Sequence, residues 1–388
     1  MKKSLFFLSL FFICGGIIQN LIFFRMIIKR KLVAILALIV IAPNLFAKVY
    51  PHPGGMHPES QIEFVRGMIE TGTQPYYNAY LQLIEKAEAS FGDDIHAMAD
   101  FNVPGYYQDA EGHRRNSKYL QSDAFNAYAC ALAWQLSGED KYAFRALEFL
   151  MAWAEINKKY SDYDGSLVMA YSGTAMIMGG ELLYHFSGWE KIDRQVFFEW
   201  VRNVYREACN EIRTRSNNWA DWGRFGSALS GYLLDDHEEM VENSRLIKSD
   251  LFEKIADNGH MPEETRRGNN GLWYTYFSLA PITASCYVVY QATGENIFLL
   301  EKDGKSIKKA LDYLFYYNQH PKKWIWHDNP RTGSPSGWPG VLFEAMGVVY
   351  DDQDYLDYVR EARPLIYDSH HFAWSFPTLM PAFMLPDK

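Results

Sequence analysis

The sequence predicts an all-α protein, a single-domain α/α toroid of about six to seven helical hairpins. Three observations carry that expectation. Apolar residues recur at spacings of three and four along most of the chain after Lys48. Turns rich in Gly, Asn or acidic residues divide the helical stretches into pairs. Period-two runs, the mark of half-buried strands, are nearly absent.

The pairs follow one another in order. Ser122 to Leu136 lines up Ala124, Tyr128, Ala131, Leu132 and Leu136 on one face. Ser137-Gly138-Glu139-Asp140 interrupts it, and Lys141 to Ile156 resumes with Ala143, Leu147, Leu150 and Trp153. A glycine at such a break suits the left-handed residue that ends many helices, so the unit reads as an αα-hairpin. Thr174 to Phe186 then pairs with Asp193 to Ile212, and Asp221 to Leu234 with Met240 to Ile255. Leu272 to Thr293 stops at Gly294 and leads to Ser306 to Tyr317. Glu344 opens a last pair. The repeat has no fixed length, which favours a closed toroid over an open solenoid. No Pro- or Ser-rich linker divides the chain, so residues 48–388 are taken as one domain.

Residues 1–47 stand apart. Lys29, Arg30 and Lys31 precede the apolar run Leu32 to Ala42, and Asn44-Leu45-Phe46-Ala47 ends in a small residue. This is the form of a secretory signal peptide cleaved near Ala47, with export to the periplasm as the expected destination. Met26 opens that unit and is the expected start. The apolar stretch Leu5 to Ile22, with Lys2 and Lys3 before it, is then an over-long extension; a membrane anchor is the rival reading. The segment holds six basic and no acidic residues, so its removal takes the net charge from −9 to about −15. Such an acidic domain is a poor partner for nucleic acid or an anionic membrane surface. Cys130, Cys209 and Cys286 lie in apolar helical segments and read as small buried residues. No metal-type spacing, phosphate loop or dinucleotide fingerprint is present, so no metal and no cofactor is expected. Oligomeric state is not encoded in any pattern. Aromatics make up 16% of the chain, enough to supply both a core and flat faces for sugar rings.

Three loops between helices concentrate chemistry: 213–226, 257–273 and 322–340. The first holds Asn217, Asn218, Trp219, Asp221 and Arg224. The second holds His260, Glu263, Glu264, Arg266, Arg267 and Gly268 and leads to Trp273 and Tyr274. The third holds His327, Arg331 and Trp338. In a toroid one set of loops rims the central cleft.

These segments resemble the alginate lyase superfamily of α/α-toroid polysaccharide lyases, including the mannuronate-specific family 5 and the alginate and glucuronan lyases of family 38. The resemblance runs from about Lys118 to Pro281. Lys118-Tyr119, Asp123 and the Ala/Tyr-rich helix to Trp134 resemble an early helix of the group. Arg267-Gly268 with Leu272 and Tyr274 is the closest match, because the group places a catalytic Tyr seven residues after an Arg-Gly arginine. Asn217-Asn218 match an Asn-Asn-His segment, but Trp219 stands where the group has His. That departure points away from family 5 and towards family 38.

The resemblance implies β-elimination on an acidic, uronate-containing polysaccharide, with alginate containing mannuronate as the first candidate and glucuronan as the alternative. Such chemistry must neutralise the C5 carboxylate as charge develops, remove the C5 proton and protonate the departing O4. Asn218 offers an amide donor and Arg267 a cationic fork. Tyr274 suits the base or the acid, or both where the two groups lie on one face of the ring. A phenol titrates near pH 10, and a neighbouring Arg⁺ and a helix N-terminus are expected to lower that. His260 and His327 are the candidates to replace the missing His, with His113 a third. Asn217, Trp219, Arg224, Arg266, Trp273, Arg331 and Trp338 are candidate substrate contacts, with Arg115, Lys118 and His113 as a basic cluster.

Blander readings stand beside these. Tyr274 also suits a core aromatic, Arg267 an ion pair with Glu263 or Glu264, Asn218 a helix cap, and His370-His371 packing near the C-terminus. A hydrolase on the same scaffold would draw two acids from Asp221, Glu263 and Glu264. A carbohydrate-binding surface protein would need only the Trp-rich loops.

Overall fold

The computed structural model describes residues 49–384; the basic-apolar segment up to Ala47 lies outside them. Among the described residues the chain forms six successive helical hairpins. They are α1 (Glu59–Glu70) with α2 (Tyr76–Ala89), α3 (Ala110–Ser137) with α4 (Asp140–Ile156), and α5 (Gly165–Leu182) with α6 (Lys191–Trp200). Through one wide π-helical turn, Val201–Tyr205, α6 continues into α7 (Arg206–Ile212). Next come α8 (Asn218–Leu233) with α9 (His237–Lys254), the single-turn α10 (Pro262–Thr265), α11 (Gly271–Thr293) with α12 (Ile307–Gln319), and α13 (Gly340–Val349) with α14 (Gln353–Val359).

The first helices of successive hairpins pack on one another, α3 on α5, α5 on α8 and α8 on α11, and make an inner layer. Their partners lie outside and are amphipathic. Every residue of α5 is buried. Its sequence explains how it survives there: a Cβ at Gly179 would lie 3.3 Å from the Ala127 carbonyl oxygen of α3, and one at Gly173 would lie 2.5 Å from the Tyr205 ring. Small residues let the backbones close up, and the buried apolar area stabilises the contact at roughly 25 cal/mol per Å². Cys130, Cys209 and Cys286 are all buried in this core, as expected.

Several boundaries differ from the sequence reading. Helix α3 starts at Ala110, not near Ser122, because the Asp109 carboxylate caps it by accepting from the Gly112 amide at 2.9 Å. Its first turns carry His113, Arg114, Arg115 and Lys118, so apolar spacing does not mark them. It ends at Gly138, whose φ of 73° is the left-handed cap read from the sequence. The α1–α2 hairpin adds a first pair that the residue pattern did not single out.

Two irregular features set the site. A short parallel ladder joins Asp100–Asn102 to Lys159–Ser161, with Phe101 opposite Tyr160. It anchors the loop before α3, where the Val103 amide donates to the Ser161 carbonyl at 3.1 Å and the Tyr106 amide to Asp164 Oδ2 at 2.8 Å. The segment after α14 threads back across the inner helices. There Thr174 Oγ1 donates to the Phe372 carbonyl at 2.9 Å and Trp374 Nε1 to Thr283 Oγ1 at 3.0 Å, while Gln61 Nε2 on α1 donates to the Pro381 carbonyl at 2.7 Å.

His57 stands at that closure, 5% exposed, with Nδ1 2.9 Å from Gln61 Oε1 and Nε2 bonded to the Tyr128 hydroxyl. Burial lowers its pKa to about 4. The folded value lies below the unfolded one, so stability is present above roughly pH 6.5 and lost as pH falls; at pH 5 one such group costs about 2 kcal/mol. The thermal midpoint should drop between pH 7 and pH 5, and drop less in His57→Gln. An equal drop in both proteins would clear His57 of the effect.

Candidate active site

The three chemistry-bearing loops meet, and hydrogen bonds join them. The Arg331 amide donates to the Asn269 carbonyl at 2.7 Å, which ties the third loop to the second. Asn218, the first residue of α8, ties the first loop to the second. Its backbone amide donates to Glu264 Oε1 at 2.9 Å and its Nδ2 to Glu264 Oε2 at 2.8 Å. The helix cap is Asn217, one residue earlier than the capping alternative for Asn218, with its side chain accepting from the Trp219 amide at 3.2 Å. That leaves Asn218 free of capping.

Arg267 and Tyr274 do touch. The guanidinium carbon lies 4.2 Å from the centroid of the Tyr274 ring, a stacked cation–π contact. Gly268, with φ of 63°, turns the chain between them. Tyr107 lies close enough to both residues to act on their charge. Burial, the largest influence, together with the neighbouring Tyr107 outweighs the pull of Arg267, so the Tyr274 pKa is pushed up to about 12. This corrects the expected lowering: Arg267 acts in that direction, but desolvation wins. Tyr107 is 81% exposed and sits in the loop that the small ladder anchors. Sequence reasoning missed it because a Tyr-Tyr pair in a loop carries no spacing signal.

Beneath Asn218 lies a buried ionic layer. Asp221, 2% exposed, accepts from Lys254 of α9 and from Ser278 of α11. Arg224 makes a two-point pair with Asp250, at 2.7 and 2.8 Å, and Nε donates to the Arg213 carbonyl at 2.9 Å. Its fork and Nε are thus committed to groups of the protein, so the structure does not leave it free to contact substrate as expected. Arg266 also differs. It pairs with Glu263 on the surface, the role considered for Arg267.

Aromatic rings line the opposite side. Trp273 meets Trp338 edge-on at 5.1 Å and stacks with Phe277 at 5.8 Å. Arg331 lies over both tryptophans, 4.9 Å from Trp273 and 5.5 Å from Trp338. His370, in left-handed backbone with φ of 72°, stacks on Tyr171 at 4.8 Å and meets Trp273 edge-on. His371 is buried among Trp222, Tyr276 and Tyr367 with neither ring nitrogen bonded. The pair packs, as expected, but against the tryptophans of the site. Trp219 carries Arg215 on its face at 3.8 Å and Tyr163 at its edge.

The histidines separate. His327 is exposed and next to Gly268, its Cδ2 4.0 Å from where a Cβ there would lie, so it neighbours Arg267. His260 is held by Asn258 at 2.6 Å and packs on Trp326 and Tyr313, not on the Tyr274 group. His113 is fixed by Asp164 at 3.1 Å and the Pro104 carbonyl at 3.0 Å. Arg115 and Lys118 are exposed on the first turns of α3, Arg115 bonded to Asn116 at 3.2 Å.

Three comparisons place this geometry among known proteins. No curated protein sequence matches. Solved structures do. An alginate lyase from Bacteroides ovatus aligns with a TM-score of 0.65 at 17% identity, covering 81% of this chain and 96% of that one. Alginate lyase A1-III from Sphingomonas species A1 aligns at 0.64 and 14% identity, covering 86% and 100%. A tyrosine-to-phenylalanine variant of A1-III complexed with tetrasaccharide aligns at 0.66 and 13%, covering 84% and 95%. These likenesses confirm the α/α-toroid fold. A family model described as alginate lyase matches residues 72–324, more than half of the 388, and with it the chain belongs to the alginate lyase family of polysaccharide lyases.

Proposed function

We propose that this lyase cleaves mannuronate-containing alginate by β-elimination, with Tyr274 moving the protons and Arg267 and Asn218 neutralising the C5 carboxylate. The stacking of Arg267 on Tyr274 carries the reading: it puts a fixed cation beside the phenol that would meet the C5 proton. The departure at Trp219 bears on stereochemistry. An indole has no proton to exchange, so one phenol is left to act as base towards C5 and as acid towards O4. That arrangement requires the C5 hydrogen and O4 on one face of the sugar ring, as in mannuronate and glucuronate and unlike guluronate. His327, beside Gly268, is the group that would support a second proton path. Three arginines stacked on aromatic rings, Arg267, Arg215 and Arg331, keep their N–H edges available for carboxylates along the polymer. The basic-apolar segment Lys29 to Ala47 supports export of the domain, with the periplasm as its destination.

A hydrolase would need two acids facing one bond. Here Asp221 is buried under Lys254, Glu264 is buried under Asn218, and Glu263 is paired with Arg266.

Ultraviolet absorbance of the C4–C5 unsaturated product, with polymannuronate, polyguluronate and glucuronan offered separately, tests the proposal. A rise with polymannuronate is expected, and Tyr274→Phe should lower it by at least ~10³-fold. A rise with glucuronan alone would transfer the assignment to that polymer; none with any polymer would end the elimination reading.

With the phenol near 12, the active phenolate grows with pH. The expected kcat/KM therefore climbs between pH 7 and 9, by up to about tenfold per unit. A bell centred at neutral pH would speak for a histidine instead. Arg267→Lys keeps the charge and loses the planar fork; a fall in kcat of about 10- to 100-fold is expected from steady-state kinetics.

A further inference from the structure

We infer that Glu264 is a positioning residue for the elimination: its carboxylate holds the Asn218 amide with the NH₂ end in place to meet the substrate carboxylate. The inference rests on the proposed role of Asn218.

Glu264 is 1% exposed and Asn218 is 2% exposed, so neither is a solvated surface group. Both carboxylate oxygens are committed to the same residue, one to its backbone N–H and one to Nδ2. An ionised carboxylate only accepts hydrogen bonds. The end of the Asn218 amide that faces it must therefore be the NH₂. One of those two N–H bonds goes to Glu264, and the other remains to donate to an incoming carboxylate. Glu264 also lies three residues before Arg267, at the end of α10, so one short segment sets both carboxylate ligands.

Protonation reverses the logic. A protonated Glu264 keeps one acceptor oxygen for the backbone N–H, but its O–H must now find an acceptor. The nearest change that supplies one is a flip of the Asn218 amide, which presents Oδ1 to Glu264 and takes the NH₂ away from its place. The substrate carboxylate would then face one donor fewer.

The groups around Glu264 set where this happens. Asp221 of α8 disfavours its charge; Lys254 of α9 and the bonds from Asn218 favour it; Ser278 of α11 is occupied by Asp221. Glu263 and Arg266, on its own segment, pair with each other at the surface. Burial is the largest influence, and the pKa is raised to about 7. Ionisation thus falls near neutral pH.

The test is the pH profile of kcat/KM from about 5.5 to 9 on the polymer that is cleaved, for the wild type, Glu264→Gln, Asn218→Ala and the double variant. In the wild type the descent should steepen below about pH 7. Glutamine imitates the protonated acid, with one acceptor and one donor. Glu264→Gln should therefore lose about 10- to 100-fold at pH 8 and show no steepening. Asn218→Ala should remove the steepening too, and adding Glu264→Gln to it should change kcat/KM by less than about twofold. Steepening that persists in Asn218→Ala would overturn the inference. So would a further large loss in the double variant, the mark of a merely structural glutamate. Should Glu264→Gln fail to fold in a thermal melt, the Asn218→Ala profile decides alone. A wild type inactive on every uronate polymer would instead defeat the elimination reading beneath it.

Discussion

A single buried carboxylate, Asp221, locks together the three helices beneath the candidate site. It lies in the first turn of α8, where the helix dipole favours its charge. It accepts from Lys254 at the end of α9 and from Ser278 inside α11. Three helices are thereby registered at one point, next to the proposed catalytic residues. An ion pair this deep costs desolvation and returns little net stability. What it does supply is a fixed mutual placement, because removing either partner would strand a charge in the core. The neighbouring pair of Arg224 with Asp250 extends the same layer. Above it sits Glu264, whose charge is disfavoured by Asp221 and tolerated through Lys254. Asp221 and Arg224 fix helices to one another, and Glu264 fixes Asn218.

A second constraint comes from the sign of the substrate. Residues 48–388 are strongly acidic, yet the proposed ligand is a polyanion. The site meets this by holding cations on aromatic faces. Arg267 lies on Tyr274, Arg215 on Trp219, and Arg331 on Trp273 and Trp338. Stacking orients a guanidinium without consuming its donors, so each remains available to a carboxylate. Arg224 and Arg266 show the contrast. They are equally basic in sequence, but carboxylates of the protein already occupy them.

Much of the fold was legible because helical periodicity records burial. The hairpins from α3 to α14 followed the apolar spacing, with Gly138 and Gly294 marking turns. The start of α3 was hidden, since a helix whose first turns are His, Arg and Lys leaves no apolar stripe; only the Asp109 cap signals it. At the site, the seven-residue spacing of Arg267 and Tyr274 placed both on either side of one glycine turn, where stacking was geometrically available. The partners that tune them were not legible. Tyr107 reaches Tyr274 through a loop set by a three-residue ladder, and Glu264 meets Asn218 across 46 positions of sequence. Arg224 looked like a substrate contact because sequence shows a basic residue in a loop, not the Asp250 that neutralises it. The rise of the Tyr274 pKa was missed for a related reason, since spacing reports neighbours but not loss of water.

The segment after α14 has a consequence for how the chain reaches this state. Phe372, Trp374 and Pro381 bond to α5, α11 and α1, so one irregular segment ties together three helices far apart in sequence. Until those residues arrive, α5 has an unfilled apolar flank and Gln61 has no acceptor at Pro381. Closing the inner layer is thus a long-range event, with contacts spanning 198 and 320 positions of sequence, and loop-closure entropy places such contacts late in folding.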